Sequence, residues 1–278
     1  MATLVSADAS PAASVVRRDR TIVVSAVAIL TALAWLYILH LRSEMPATPE
    51  TGGMGSMPGM DMRDLAAVAP GFRPWSPGDF ALTLFMWTVM MAGMMLPSVT
   101  PMVWLYTAAA RRRVSGRPLA ATGWFVGGYL VAWTLFSLAA TAAQWALTRL
   151  ALVDPMMASA SRPLGGALLL AAGVYQWSPS KRACLSHCQT PLAFVMRHGG
   201  FRPGAWGAIR EGVHHGAYCV GCCAVLMALL FVGGVMNVVW IAGLSILVLV
   251  EKAWRAAAVP RVAGAALVAA ALFYLVPR

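Results

Sequence analysis

Long apolar segments separated by shorter polar or basic stretches are the dominant pattern along this chain. The apolar segments lie at about residues 21–41, 80–105, 121–147, 163–178, 213–236, 237–251 and 259–276. A helix needs about 20 apolar residues to cross a bilayer, so the pattern predicts an all-α fold, a polytopic transmembrane helix bundle of about seven helices. The fourth and sixth segments are short, and the fifth meets the sixth at Met236-Asn237 with almost no loop, so six helices is the alternative.

Composition and charge agree with this class and orient the bundle. Apolar residues make up 60% of the chain and charged residues 11%, whereas a soluble domain has about 25% charged residues. With the N-terminus in the cytoplasm, fifteen of the 21 lysines and arginines lie inside and six outside, as the positive-inside rule expects. The six outer residues are Arg42, Arg63, Arg73, Arg149, Arg162 and Arg278. The net charge of +11 is thus explained by orientation, and no nucleic-acid partner is expected.

The pattern also divides the chain into four parts. Residues 1–20 are small, polar and basic, and we expect a disordered cytoplasmic N-terminus. Residues 21–41 form the first transmembrane helix, because this run is too long for a signal peptide and no small-residue cleavage site follows it promptly. Residues 42–79 form an outer loop rich in methionine, glycine and proline. Residues 80–278 form the transmembrane domain that carries most of the candidate ligands described next.

All five cysteines lie between residues 184 and 223, in two groups that also contain histidine. The candidate metal ligands are Cys184, His187, Cys188, His214, His215, Cys219, Cys222 and Cys223. In each group, spacings of three and four residues place the thiols on one face of a helix. In the second group, His215 lies on the same face as the thiols. An inner loop between antiparallel neighbours would bring the groups together near the cytoplasmic face, with the second group in the first two turns of the fifth helix. Gly216 and Gly221 remove side-chain bulk there, so another helix can approach closely.

Thiolate and imidazole groups together are ligands of soft and borderline metals such as Cu(I) and Zn(II). Cu(I) is the preferred metal for this cluster and zinc the alternative. The CxxxC and CxxCC spacings do not form a zinc-finger pattern. Inert buried cysteines are the competing interpretation, which the clustering of all five cysteines with histidines disfavours.

Methionine is concentrated in two further places. Four methionines lie within residues 54–62 of the outer loop, and three repeat every four residues in the second apolar segment. These secondary candidates are Met54, Met57, Met60 and Met62 in the loop, and Met86, Met90 and Met94 in the segment. Thioethers bind Cu(I) and not hard cations, so the loop is a candidate for copper capture and the segment for copper relay. Packing is the favoured explanation for the segment, because methionine fills irregular gaps between helices.

Three stretches of the sequence have a recognisable form, Met86–Ser98, Tyr175–Cys188 and His215–Cys223. Together they resemble a bacterial family of predicted metal-binding integral membrane proteins, which carries a domain of unknown function and is sometimes labelled copper chaperone. The resemblance covers roughly residues 80–255. It implies metal binding and a membrane location, which for a bacterial chain with basic inner loops is the inner (plasma) membrane.

These observations predict an integral membrane protein that binds a soft metal, Cu(I) in preference to zinc, for copper delivery or transfer. The expected partners are the lipid bilayer, the metal ion, and a metallochaperone or membrane metalloenzyme. Two alternatives stay open: a membrane thiol–disulfide oxidoreductase, and an assembly subunit of a membrane metalloenzyme. The sequence contains no P-loop, HExxH motif or Ser-His-Asp order, so no catalytic residue is assigned and a binding protein is favoured over an enzyme.

Overall fold

The fold is built from α-helices. The computed structural model describes residues 11–44, 75–113, 118–152, 161–190, 192–193, 196, 202, 204–254 and 256–276. The helices are α1 (Pro11–Ser43), α2 (Pro77–Arg113), α3 (Pro118–Arg149), α4 (Arg162–Tyr175), α5 (Pro179–Gln189), α6 (Gly204–Ala228), α7 (Leu230–Gly233), α8 (Val238–Ala253) and α9 (Ala258–Leu275). Within the described ranges the regular structure is entirely helical, which confirms the all-α prediction.

Among the described residues, five helical stretches are long and apolar enough to cross a membrane. They are Arg18–Ser43, Pro77–Arg111, Leu119–Arg149, Gly204–Gly233 and Ala258–Leu275. The apolar helices α4 and α8 have 14 and 16 residues. They are therefore about 21 and 24 Å long, which is less than the roughly 30 Å hydrocarbon core of a bilayer. The count of seven spans and the cytoplasmic N-terminus stay predictions.

The helices pack as a bundle in which α8 contacts both α2 and α6. α1 packs on α2, α2 on α3, and α3 on α6. α4 packs on α9, while the short helix α5 lies against α6. The buried apolar side chains of these helices form a continuous core that includes the cysteines of α6. These cysteines therefore lie inside the bundle and not on its outer surface.

The predicted boundary between the fifth and sixth apolar segments is confirmed as a turn between α7 and α8. Gly234 has a φ of 90°, a left-handed conformation that glycine adopts without steric cost. Asn237 then caps α8, because its side chain accepts a hydrogen bond from the Trp240 backbone N–H at 3.2 Å. Arg42 donates to the Met236 carbonyl at 3.3 Å, so the turn lies beside the C-terminal end of α1.

The start of α6 differs from the sequence prediction. This helix begins at Gly204, whereas the hydropathy pattern placed the start of the fifth segment at about residue 213. The additional turns contain small and charged residues that lower the average hydropathy, yet Gly207, Ala208 and Gly212 are buried. Packing inside the bundle therefore extends the helix. Cys219 consequently lies about 22 Å along the helix from its start, so its predicted place in the first two turns is wrong.

α3 and α6 approach each other closely through small residues. Gly212 and Gly216, four residues apart on α6, both face α3. A methyl group added at Gly212 would overlap the Phe125 carbonyl oxygen, and one added at Gly216 would lie 2.6 Å from Ala132 Cβ. Small residues at this spacing let two helix backbones pack together. The close approach predicted at Gly216 is confirmed, and it holds Tyr129 of α3 against the cysteine-bearing face of α6.

Replacing Gly128 of α3 with alanine is expected to loosen this contact. The added methyl group would overlap the carbonyl oxygen of Ile209 on α6, and overpacking of this kind costs about 1–3 kcal/mol. Gly127→Ala is the matched control, because nothing lies within 4 Å of its added methyl group. Thermal unfolding in detergent should give a lower Tm for G128A than for G127A. Equal Tm values would contradict the packing of α3 on α6.

Candidate metal centre

Three thiols of α6 and one of α5 form a buried sulfur cluster. Cys219, Cys222 and Cys223 are each 1% exposed. Cys222 Sγ lies 3.1 Å from Cys223 Sγ and 3.9 Å from Cys188 Sγ. The two cysteine groups predicted from the sequence therefore do meet, because α5 packs along α6. We refer to Cys188, Cys219, Cys222 and Cys223 as the thiol cluster.

Cys184 lies one helical turn before Cys188, at the edge of the thiol cluster. A methyl group added at Gly221 would lie 2.9 Å from Cys184 Sγ, so the glycine makes room for this sulfur. The close approach predicted at Gly221 is therefore confirmed, with α5 as the neighbour. Tyr175 also donates to the Gly221 carbonyl at 2.5 Å, which ties the end of α4 to the same point of α6. Burial raises the pKa of the Cys184 thiol above its ordinary value, so we expect it to be protonated at neutral pH.

Cys219 has a polar environment that the sequence analysis missed. Lys252 of α8 is 8% exposed, and its Nζ donates to Cys219 Sγ at 2.9 Å. The hydroxyl of Tyr129 lies 3.1 Å from the same sulfur. A cation beside a thiol favours the thiolate, which is the form that binds metal. The signal in the sequence is the Glu251-Lys252 pair at the end of the apolar helix α8, and hydropathy alone marks such a pair only as the end of an apolar segment.

Lys252 also reaches α2. Its Nζ donates to Ser98 Oγ at 3.0 Å and lies 4.0 Å from Met95 Sδ. Tyr129 donates to the Met95 backbone carbonyl at 3.3 Å. Four helices, α2, α3, α6 and α8, thus supply a thioether, a phenol, a thiol and an ammonium group to one buried point around Cys219.

The three candidate histidines occupy different depths beside the cluster. His215 is 2% exposed and lies on the same face of α6 as the thiols. The His187 ring stacks on Tyr218, with centroids 4.2 Å apart and an angle of 7° between the planes. His214 is exposed, and its ring centroid lies 5.2 Å from that of Tyr218. The structure therefore places His215 within the buried region and the other two histidines on a tyrosine at its edge.

The methionines of α2 are buried side chains of the core. Met86, Met90 and Met94 are 7%, 2% and 3% exposed and belong to the same packed core as the α6 cysteines. Met95, in the adjacent row of α2, is the methionine whose sulfur is near Lys252. Packing between helices explains why Met86, Met90 and Met94 are buried, and their role in copper relay stays a prediction. The loop candidates Met54, Met57, Met60 and Met62 lie outside the described residues.

The thiol cluster has the donor chemistry of a Cu(I) site. In the described part of the chain, no three Cys, His, Asp or Glu side chains already form a metal-binding group. Pairs of sulfurs are nevertheless close, at 3.1 Å for Cys222 and Cys223 and 3.9 Å for Cys188 and Cys222. Cu(I) accepts two thiolates as ligands, whereas a structural Zn(II) site takes four ligands in a tetrahedron. The closest sulfur pairs are therefore donors of the soft type that Cu(I) prefers.

A buried ion pair helps to hold α5 beside the thiol cluster. Lys181 Nζ and Glu251 Oε2 are 2.7 Å apart, with side chains 0% and 1% exposed. Gln176 donates to the other carboxylate oxygen at 2.8 Å, and Gln189 donates to the Glu251 backbone carbonyl at 2.7 Å. The contacts join the loop after α4 and both ends of α5 to α8. They hold the helix that bears Cys188 against the helix that bears Lys252.

Comparison with known proteins places the chain in a family. No curated protein and no solved structure matches it. A protein-family model described as PpoB2, copper chaperone, matches residues 84–274, which include α3 to α8 and therefore the whole thiol cluster. The match covers well over half of the 278 residues and confirms the resemblance seen in the sequence. This chain therefore belongs to the copper chaperone family.

Proposed function

We propose that this protein binds Cu(I) at the thiol cluster and takes part in copper delivery or transfer at the bacterial inner membrane. The observation that carries the proposal is that Cys222 Sγ lies 3.1 Å from Cys223 Sγ and 3.9 Å from Cys188 Sγ, on the helix whose Cys219 sulfur contacts Lys252. Buried thiolates are soft ligands, and a site that excludes water protects Cu(I) from hard oxygen ligands. The copper ion is the cargo of this site.

The depths of the candidate ligands support a direction for loading. His214 is exposed, His187 and Cys188 are half-buried, and Cys222 is buried. Tyr218 contacts both of the outer histidine rings. Copper that arrives at the α5 side would therefore meet imidazole first and thiolate afterwards. Because thiolate is the softer ligand, each step inward leads to a better ligand for Cu(I).

Copper content of the purified protein tests the proposal. We would purify the full chain in detergent under anaerobic, reducing conditions, load it with Cu(I) or Zn(II), and remove loosely bound metal. The wild type is expected to retain about one Cu(I) per chain, because two or three clustered thiolates bind Cu(I) tightly. The Cys219/Cys222/Cys223→Ser variant is expected to lose it, since a serine hydroxyl is a hard donor.

Two controls make this result specific. Met236→Leu removes a buried sulfur at the turn before α8, outside the thiol cluster, and should leave the Cu(I) content unchanged. Circular dichroism should show that the triple serine variant keeps its helical content. Full Cu(I) content in the triple variant would contradict the site. A wild-type protein that binds no copper and forms a reversible disulfide on oxidation would instead favour a thiol–disulfide oxidoreductase.

A further inference from the structure

Lys252 is a buried cation whose counter-charge comes from sulfur. Of the described carboxylates, none lies within ion-pair distance of its Nζ. The neighbouring acid, Glu251, is paired with Lys181 and Gln176 on another side of α8. The groups that do contact Lys252 are Cys219 Sγ, Ser98 Oγ and Met95 Sδ. Cys219 is the group among these that can carry a negative charge at moderate cost.

Such an arrangement constrains the total charge of the site. A buried ammonium group without a partner is strongly unfavourable, because it loses its hydration and gains nothing in exchange. Ionisable groups at membrane depth accordingly mark functional sites, where each charge has a partner. The thiol cluster therefore needs one excess negative charge to balance Lys252, whether or not a metal is bound.

We propose that Lys252 makes the thiol cluster selective for a monovalent metal ion over a divalent one. This inference rests on the proposed function and names its specificity determinant. Cys219 and one further thiolate of the thiol cluster carry a net charge of −1 when they bind Cu(I), and Lys252 neutralises this charge. Two thiolates with Zn(II) are already neutral, so the ammonium charge of Lys252 would remain uncompensated in a low-dielectric site. Zn(II) reaches the same balance only with a third thiolate, whereas the described residues bring close sulfurs together in pairs and no three Cys, His, Asp or Glu side chains into one metal-binding group.

The geometry supports this role for Lys252 without making it a metal ligand. Its ammonium group lies 2.9 Å from Cys219 Sγ and also donates to Ser98 Oγ at 3.0 Å. A cation in this position acts on the thiolates through its charge. Lys252 is thus a specificity-determining residue beside the ligands, and its effect should follow the charge of the side chain more than its shape.

Competition titrations with Cu(I) and Zn(II) test this inference on the purified full-length protein. Lys252→Met removes the charge and keeps an unbranched side chain, whereas Lys252→Arg keeps the charge. We expect K252M to lower the ratio of Cu(I) to Zn(II) affinity by at least about tenfold, and K252R to keep that ratio within about threefold of wild type. Lys252→Gln, which can still hydrogen-bond Ser98, should behave like K252M and serves if the methionine variant does not fold.

The outcomes separate this inference from the proposed function. A wild-type protein that holds no Cu(I) overturns the proposed function itself. If the wild type binds Cu(I) but K252M and K252Q keep the wild-type ratio, copper binding stands and the role of Lys252 is overturned. A ratio that falls equally in K252R and K252M overturns it as well, because selectivity would then depend on side-chain shape and not on charge.

Discussion

Replacing Glu251 with glutamine is expected to destabilise the protein by about 3–5 kcal/mol, because it leaves a buried lysine without a counter-ion. Lys181 is completely buried, and Glu251 Oε2 lies 2.7 Å from its Nζ. Glutamine keeps nearly the same shape and can still accept the hydrogen bond from Gln176. The loss of stability is therefore caused by the missing charge and not by a cavity.

The Lys181→Met/Glu251→Gln double variant is the control for this prediction. It removes both charges, and replacing a buried ion pair by neutral groups is often close to neutral for stability. Thermal unfolding in detergent should show a large drop in Tm for E251Q and a partial or full recovery in the double variant. A double variant as unstable as E251Q would mean that the charge balance of this pair is not what holds α5 against α8.

Replacing Cys222 alone with serine is expected to lower Cu(I) affinity by more than about 100-fold, since changes outside the ligand set already cost about 10–100-fold. Cys222 Sγ is near two other sulfurs, those of Cys223 at 3.1 Å and Cys188 at 3.9 Å. Whichever of these thiolates bind copper, Cys222 belongs to both close pairs. Its loss therefore removes both close pairs at once.

Cys184→Ser is the matched comparison for this prediction. Cys184 lies on the same short helix as Cys188, but its sulfur packs beside the Gly221 backbone. We expect C184S to lower Cu(I) affinity by less than about tenfold. Titration of both variants with a competing Cu(I) chelator measures the difference. Equal losses of Cu(I) affinity in C184S and C222S would mean that Cys184 contributes to copper binding as much as Cys222 does. The close sulfur pairs would then not define the site.

The sequence was sufficient to predict the helical class and the meeting of the two cysteine groups. Apolar segments of membrane length have few alternatives to helices. An inner loop between antiparallel neighbours brings the residue groups on its two sides to the same end of the bundle. The turn at Met236-Asn237 was also predictable, because glycine and asparagine there end one helix and cap the next. The start of α6 was not predictable from hydropathy. Ala208 and Gly212 are buried there because α6 packs on α3, although the local sequence is not strongly apolar.

The polar surroundings of the cluster could not be derived from the sequence. Glu251 and Lys252 are adjacent in the chain and look like a single boundary pair, yet they face different partners. Glu251 pairs with Lys181, which is 70 residues away in sequence. Lys252 contacts Cys219, 33 residues away. Such pairings depend on the rotation of α8 within the bundle, which neither composition nor periodicity specifies.

The most direct test of copper binding by this cluster is X-ray absorption at the copper edge of the Cu(I)-loaded, full-length protein in detergent. Ligation by sulfurs of the thiol cluster predicts a nearest shell made of sulfur, and loss of that signal in the Cys219/Cys222/Cys223→Ser variant. A shell of nitrogen and oxygen, or a sulfur shell that survives in the variant, would contradict copper binding at this site.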